Sequence, residues 1–178
     1  MSLYVERALF VVAPQDSGKS TQLRSIFRDR RFSMGGQIPS STQQKNLPET
    51  YYISNERRLY LRLTSPNEYG ETPKEFHDKT RNKMGDGRWS FLGPLQPEAF
   101  KQMPEVVEAV QRFMSAFNPE RVRVAFLSPN RHGVEVDNFI PGRDLRSELL
   151  QLGVEVVCLD ARQRAVNGLT LADFFDFT

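Results

Sequence analysis

Apolar positions along this chain follow two periods that take turns. Ala8-Leu-Phe-Val-Val12 is an unbroken apolar run with two β-branched residues, the pattern of a strand buried on both faces of a parallel sheet. After a polar loop, residues 20–27 contain neither Gly nor Pro and set Leu23 and Phe27 four apart, on one face of a helix. Residues 33–56 are polar, carry Gly and Pro and follow neither period, which predicts a long exposed loop. Arg58-Leu-Tyr-Leu-Arg-Leu-Thr64 alternates as a strand does and stops at Ser65-Pro66. Residues 73–84 predict a short charged helix closed by Gly85-Asp86-Gly87, and residues 89–92 a strand stopped by Gly93-Pro94.

The second half is more regular. Val106, Val110, Phe113 and Phe117 recur at helical spacing, with Val107 and Met114 widening the stripe and Pro104 near its start. Residues 121–127 predict a strand, residues 142–152 a helix with Leu145, Leu149 and Leu152 inward and Gly153 as its stop, and residues 154–159 another strand. Residues 170–177 read either as a capped terminal helix that docks its phenylalanines or as a partner-binding tail. Strand-helix-strand connections of this length favour parallel pairing with right-handed crossovers. The expected fold is therefore α/β, a three-layer α/β/α sandwich with a mostly parallel sheet. Residues 1–178 form one domain, and ligands gather at the carboxyl ends of the strands.

Between the first strand and the first helix stands Ala13-Pro14-Gln15-Asp16-Ser17-Gly18-Lys19-Ser20-Thr21. It fits the pattern G-x-x-x-x-G-K-[S/T], with Ala13 where the first glycine is usual. Each residue type has a physical task there. Gly18 accepts a positive φ and lets backbone approach phosphate oxygens, Lys19 neutralises terminal phosphates, and the Ser20 hydroxyl suits a Mg²⁺ ligand with Thr21 as a second hydroxyl. The N-terminus of the following helix directs unpaired N–H groups and the positive end of its dipole at the loop.

With a buried strand before it and a helix after it, residues 8–27 resemble the phosphate-loop region of the P-loop NTPase superfamily. The size of the chain is similar to that of small nucleotide and metabolite kinases. The resemblance implies ATP and Mg²⁺ as cofactors, with Ala13 to Thr21 binding the nucleoside triphosphate and Lys19 acting in catalysis. It also implies an acid at the end of another strand to complete the metal shell. Asp160, which ends an apolar run late in the chain, and Glu68, just beyond the 58–64 strand, are the two candidates. Asp16 is placed to position water or a substrate hydroxyl, and Arg24, followed by Arg28, Arg30 and Arg31, to stabilise phosphate charge as an arginine finger does. Arg162 and Arg164, after the last strand, fall where many such kinases touch the nucleotide.

The remaining features narrow the classes. The net charge is +2, too small for the field that nucleic-acid binders often carry, so nucleic acid is unsupported as a partner. The single cysteine, Cys158, sits in an apolar run and is expected as a small core hydrophobe. With no leader pattern and no long apolar span, a soluble cytoplasmic protein without a membrane partner is expected. His77 and His132 stand alone in polar surroundings as surface residues, while Tyr51 and Tyr52 in the long loop suit base stacking. Asn82-Lys83-Met84-Gly85 lacks the acid of a guanine motif, and Met34-Gly-Gly-Gln37 lacks the serine of a transporter-ATPase signature. Three functions stay open: a phosphotransferase acting on a small-molecule acceptor, an NTPase that switches a protein partner, and a non-catalytic nucleotide sensor.

Overall fold

The apolar run at residues 8–12 forms the heart of β1 (Leu3–Val12) in a computed structural model that describes residues 1–32, 34–136 and 139–176. Side chains alternate across a strand, so Ala8, Phe10 and Val12 enter one hydrophobic cluster while Leu9, Val11 and Ala13 enter another on the opposite face. All six are fully buried, which is why the run admits no polar residue. Beside β1 lie β4 (Gly87–Leu95) and β5 (Arg121–Leu127), both parallel to it. With β2 (Thr50–Tyr52), β3 (Arg57–Leu61) and β6 (Glu155–Leu159) they make a six-stranded sheet in the order β2-β3-β4-β1-β5-β6. Only the β2–β3 pair is antiparallel.

Helices cover both faces. α3 (Pro73–Met84), α4 (Val106–Phe117) and α5 (Leu145–Gln151) pack on one side, where Phe10, Phe91 and Phe113 meet with ring centroids 5.1 to 5.4 Å apart. α1 (Lys19–Arg24), the 3₁₀ helix Ser25–Arg28 and α6 (Arg164–Asp173) pack on the other. The short α2 (Pro66–Tyr69) bridges β3 and α3. Local chemistry sets the starts: Pro73 stands at the first helical position inside the Thr72–Glu75 capping box, and Glu105 and Asp144 accept backbone N–H groups from the first turns of α4 and α5. No helix of the described residues is long and apolar enough to cross a membrane.

Several elements depart from the sequence expectation. β4 continues through Gly93 and Pro94. The carbonyl of Leu92 accepts the last bond from the β3 side, from Arg62 N at 2.9 Å. Pro94 faces the same side two residues on, beyond the end of β3, so its missing N–H costs no ladder bond. Gly93 leaves room for the Phe91 ring, which a Cβ there would approach to 2.6 Å. The 33–56 segment contains a 3₁₀ helix (Ser41–Asn46) and the short β2, and Tyr51 is buried against Phe27 and Phe32, away from any base-stacking position; Tyr52 is exposed. Cys158 is exposed rather than core; β6 is the edge strand, paired with β5 alone at the rim of the sheet.

The terminal helix begins at Arg164, earlier than expected. Phe174 and Phe175 dock in the core, each burial contributing roughly 2 kcal/mol, while Phe177 lies outside the described residues. The guanidiniums of Arg7, Arg121 and Arg123 surround the Phe174 ring at 5.9, 5.3 and 4.6 Å. Upstream, α6 crosses so close to the 3₁₀ helix that Gly168 lies directly on the backbone of Ser25.

His77 is half-buried on α3, its ring 5.5 to 6.1 Å from those of Phe76, Phe113 and Phe117. Burial pushes its pKa down to about 4; Arg81 and Arg112 push the same way and Asp78 opposes them. The folded value lies below the ordinary 6.5, so its stabilisation is complete above pH 6.5 and is lost as pH falls towards 4. Stability should therefore be lower at pH 4.5 than at pH 7, by less than the full shift implies because the ring is still partly open to solvent. Urea unfolding at both pH values should show a smaller loss in His77→Leu; an equal loss assigns the acid sensitivity elsewhere.

Candidate functional site

The five parallel strands point their carboxyl ends to one edge of the sheet, and the loop at residues 13–18 leaves β1 there. Ala13 is fully buried and its N–H donates to the Leu95 carbonyl at the end of β4 (3.4 Å), so a methyl group fits at this position. Asp16 (φ 59°) and Gly18 (φ 87°) both take left-handed conformations, which turn the chain from the strand into α1. Glycine does this without a steric penalty, and aspartate is among the few other residues that tolerate it. No side chain caps α1, and Gln22 is the first residue whose N–H reaches a helical carbonyl, that of Gly18 (3.1 Å). The N–H groups of Lys19, Ser20 and Thr21 have no acceptor within the helix.

Lys19 folds back over this turn. Its Nζ donates to the carbonyls of Ala13 and Pro14, both at 2.9 Å, and the residue is only 5% exposed. Burial pushes its pKa below the ordinary lysine value, while the negative charges of Glu68 and Asp16 oppose that. An ammonium has three donors, so one remains for an incoming group. The loop thus joins a partly desolvated cation to free backbone donors, an arrangement suited to an anion with several oxygens.

The other expected residues divide. Pro14, Gln15 and Asp16 are exposed at the loop's crest, and Ser17 and Ser20 are half-buried beside it. Neither the Ser20 hydroxyl nor the Asp16 carboxylate has a hydrogen-bond partner among the described residues, so both are available to a hard cation. Thr21 Oγ1 accepts from Arg24 Nη2 (3.2 Å). Arg24 is buried, and its Nη1 donates to the Pro39 carbonyl (2.8 Å), so it ties α1 to the segment above it; burial first, then Arg164, lower its pKa.

Of the two candidate acids, Glu68 on α2 lies within electrostatic reach of Lys19. Asp160 directly follows β6, two strands from β1, and its carboxylate accepts from Arg162 N, Nε and Nη2 at 3.0, 3.0 and 2.8 Å. Those bonds hold its pKa down to about 2, so it is ionised and already occupied. Among the described residues no three His, Cys, Asp or Glu side chains cluster as a metal cage. A Mg²⁺ ion here would need ligand oxygens besides those of the protein.

Two amide pairs escaped sequence reasoning. Gln96 follows Leu95 at the end of β4, and its N–H donates to Asn67 Oδ1 (3.2 Å). Both side chains are buried, and Gln96 Nε2 and Asn67 Nδ2 have no hydrogen-bond partner. The strand was expected to stop at Gly93-Pro94, which hid Gln96; its only signal is its place after an apolar run. On the other flank, Gln22 Nε2 donates to the Ala161 carbonyl (2.8 Å) and Asn167 Nδ2 to Gln22 Oε1 (2.9 Å) and the Asp160 carbonyl (2.6 Å). This bridge fastens α1 to the β6–α6 connection.

Compared with known protein families, with curated proteins and with solved structures, the chain matches none.

Proposed function

We propose that residues 13–21 are a phosphate loop of the P-loop type, that they bind Mg²⁺-ATP, and that the protein transfers the terminal phosphoryl group to a small-molecule acceptor. The observation that carries this reading is Lys19, held by two backbone carbonyls across a left-handed strand-to-helix turn with one donor left over. Phosphoryl transfer asks a protein for positioning and for charge stabilisation more than for covalent chemistry. The loop N–H groups fix the phosphate chain, and the remaining Lys19 donor takes a terminal oxygen on which charge develops. Mg²⁺ bound with the nucleotide supplies further neutralisation of the β- and γ-phosphates. Ser20 and Glu68 are the residues proposed to hold it, with Asp16 directed to the acceptor side.

Titration calorimetry with ATP and with GTP, each with Mg²⁺, is the first test, followed by ATP turnover with and without candidate acceptors. Micromolar ATP binding and acceptor-dependent turnover support the reading. Turnover without an acceptor supports an NTPase switch instead. Glu68→Gln should leave the fold unchanged and lower turnover about tenfold at limiting Mg²⁺, with recovery as Mg²⁺ is raised. Unchanged Mg²⁺ dependence removes Glu68 from the site.

A second reading, a nucleotide sensor without turnover, draws on Gln96. The residue that ends the strand next to the loop is a neutral amide, which offers a metal far less than a carboxylate does. Tight ATP binding with no loss of ATP under any acceptor favours this reading.

A further inference from the structure

A groove of about 680 Å³ runs along the β3 side of the sheet, walled by residues 44–49, by the chain that follows β3 and by α3. Its size falls in the range of roughly 300–1,000 Å³ typical of small-molecule sites. Four cations line it, Lys45, Arg62, Lys79 and Lys83, against the two carboxylates of Glu49 and Glu71. Each carboxylate is paired, Glu71 through Oε1 alone, its Oε2 being buried without a hydrogen-bond partner. Lys83 pairs with Glu49, while Arg62 Nη2 and Lys79 Nζ share Glu71 Oε1 at 2.9 and 2.7 Å. Burial pushes the Glu71 pKa up, but hydrogen bonds from Arg62 and Lys79 outweigh it and hold the acid ionised. Lys45 is exposed and has no partner among the described residues. The groove therefore carries uncompensated positive charge.

An aromatic surface adjoins it. Tyr69 is 67% exposed, with Lys79 Nζ 5.9 Å and the Arg62 guanidinium 5.8 Å from its ring centroid. A large ring left open to water beside cations suits a planar group that carries a negative charge nearby. The same connection, residues 62–72, serves both sites: Arg62, Tyr69 and Glu71 face the groove, and Glu68 reaches Lys19 electrostatically.

We propose that this groove binds a small metabolite with a planar ring and a phosphate, of the nucleoside monophosphate class, and that it is the acceptor site for the phosphoryl transfer. Binding in the groove stands by itself, whereas the acceptor role rests on the ATP reading above. In that role an oxygen of the acceptor phosphate bonds to the γ-phosphorus of ATP, and the bond from that phosphorus to the β,γ-bridging oxygen breaks. ADP leaves with the electron pair. The acceptor phosphate is mostly dianionic at neutral pH, since its second pKa is about 6, so its attacking oxygen has no proton to lose.

The test is calorimetric titration of the full chain, without ATP, with AMP, CMP, GMP and UMP, and with each parent nucleoside and ribose 5-phosphate as controls. At least one monophosphate should bind, with its nucleoside and ribose 5-phosphate each about tenfold weaker or more, because each lacks one of the two contacts. Lys45→Glu and Tyr69→Ala change exposed side chains, and each should weaken that binding about tenfold while ATP affinity stays unchanged. If no monophosphate binds to protein that binds ATP, or if both variants bind as the wild type does, the groove proposal is overturned. The same holds if the monophosphate is lost in Lys19→Ala, since it then occupies the ATP site. A monophosphate that binds while ATP does not upholds the groove and overturns its acceptor role. Conversion of that monophosphate to a diphosphate at the expense of ATP upholds both.

Discussion

Gly168→Ala should destabilise the protein by about 3 kcal/mol or more, a larger loss than most single substitutions produce. The reason is steric. A methyl carbon at Gly168 would fall on the carbonyl group of Ser25, far inside the 3.0 Å that real Cβ atoms keep, and the obstacle is backbone with no rotamer to change. Relief requires α6 to move away from the 3₁₀ helix Ser25–Arg28, opening the cluster that holds Leu23, Ile26, Leu171 and Phe175. The same movement strains the Gln22–Asn167 bond and so reaches α1. Urea unfolding of Gly168→Ala beside Leu169→Ala, whose side chain is 44% exposed, separates this contact from any general cost to α6. If the two variants unfold at the same urea concentration, the close crossing does not govern stability.

For Lys19→Ala the expected result is reversed, a large loss of function with no loss of fold. Charge-assisted hydrogen bonds are worth about 1.5–3 kcal/mol, so ATP affinity should fall at least about tenfold. Turnover should fall by about 10²–10³, the usual effect of deleting one group that stabilises developing charge. Stability should change little: the folded state keeps the buried Lys19 ammonium at a cost, and losing its bonds to the Ala13 and Pro14 carbonyls offsets the gain from removing it. Calorimetry and urea unfolding on one preparation test both halves. ATP affinity and turnover equal to the wild type end the phosphate-loop proposal; a drop of several kcal/mol in stability makes Lys19 a structural residue instead.

Periodicity made the scaffold readable. The all-apolar stretch of β1 and the stripe of α4 each name their own element, since burial on two faces and burial on one face leave distinct local patterns. The strand-loop-helix passage from β1 into α1 was equally plain, because its residues are contiguous. What depends on distant partners was hidden. Gly93-Pro94 ends a strand by local rules, and only the early end of β3 shows why β4 continues. Cys158 reads as core until β6 proves to be an edge. Gln96 with Asn67, and Gln22 with Asn167, meet only after the crossovers are made, so no spacing announces them. The two candidate acids looked alike in sequence; the Arg162 bonds on Asp160 and the electrostatic reach of Glu68 to Lys19 are what tell them apart.

The place of β1 in the sheet also governs how the chain must fold. Its neighbours are β4 and β5, so that Ala8 aligns with Phe91 on one side and Val122 on the other. Because β1 precedes both of its neighbours in the chain, it has neither of these partners until some eighty residues more are made, roughly 4–16 s at ordinary synthesis rates. Through that interval the apolar run at residues 8–12 is exposed without a strand partner, and the loop to be closed is long. Central position gives β1 burial on both faces in the finished protein, and it makes β1 the segment most in need of shelter during synthesis.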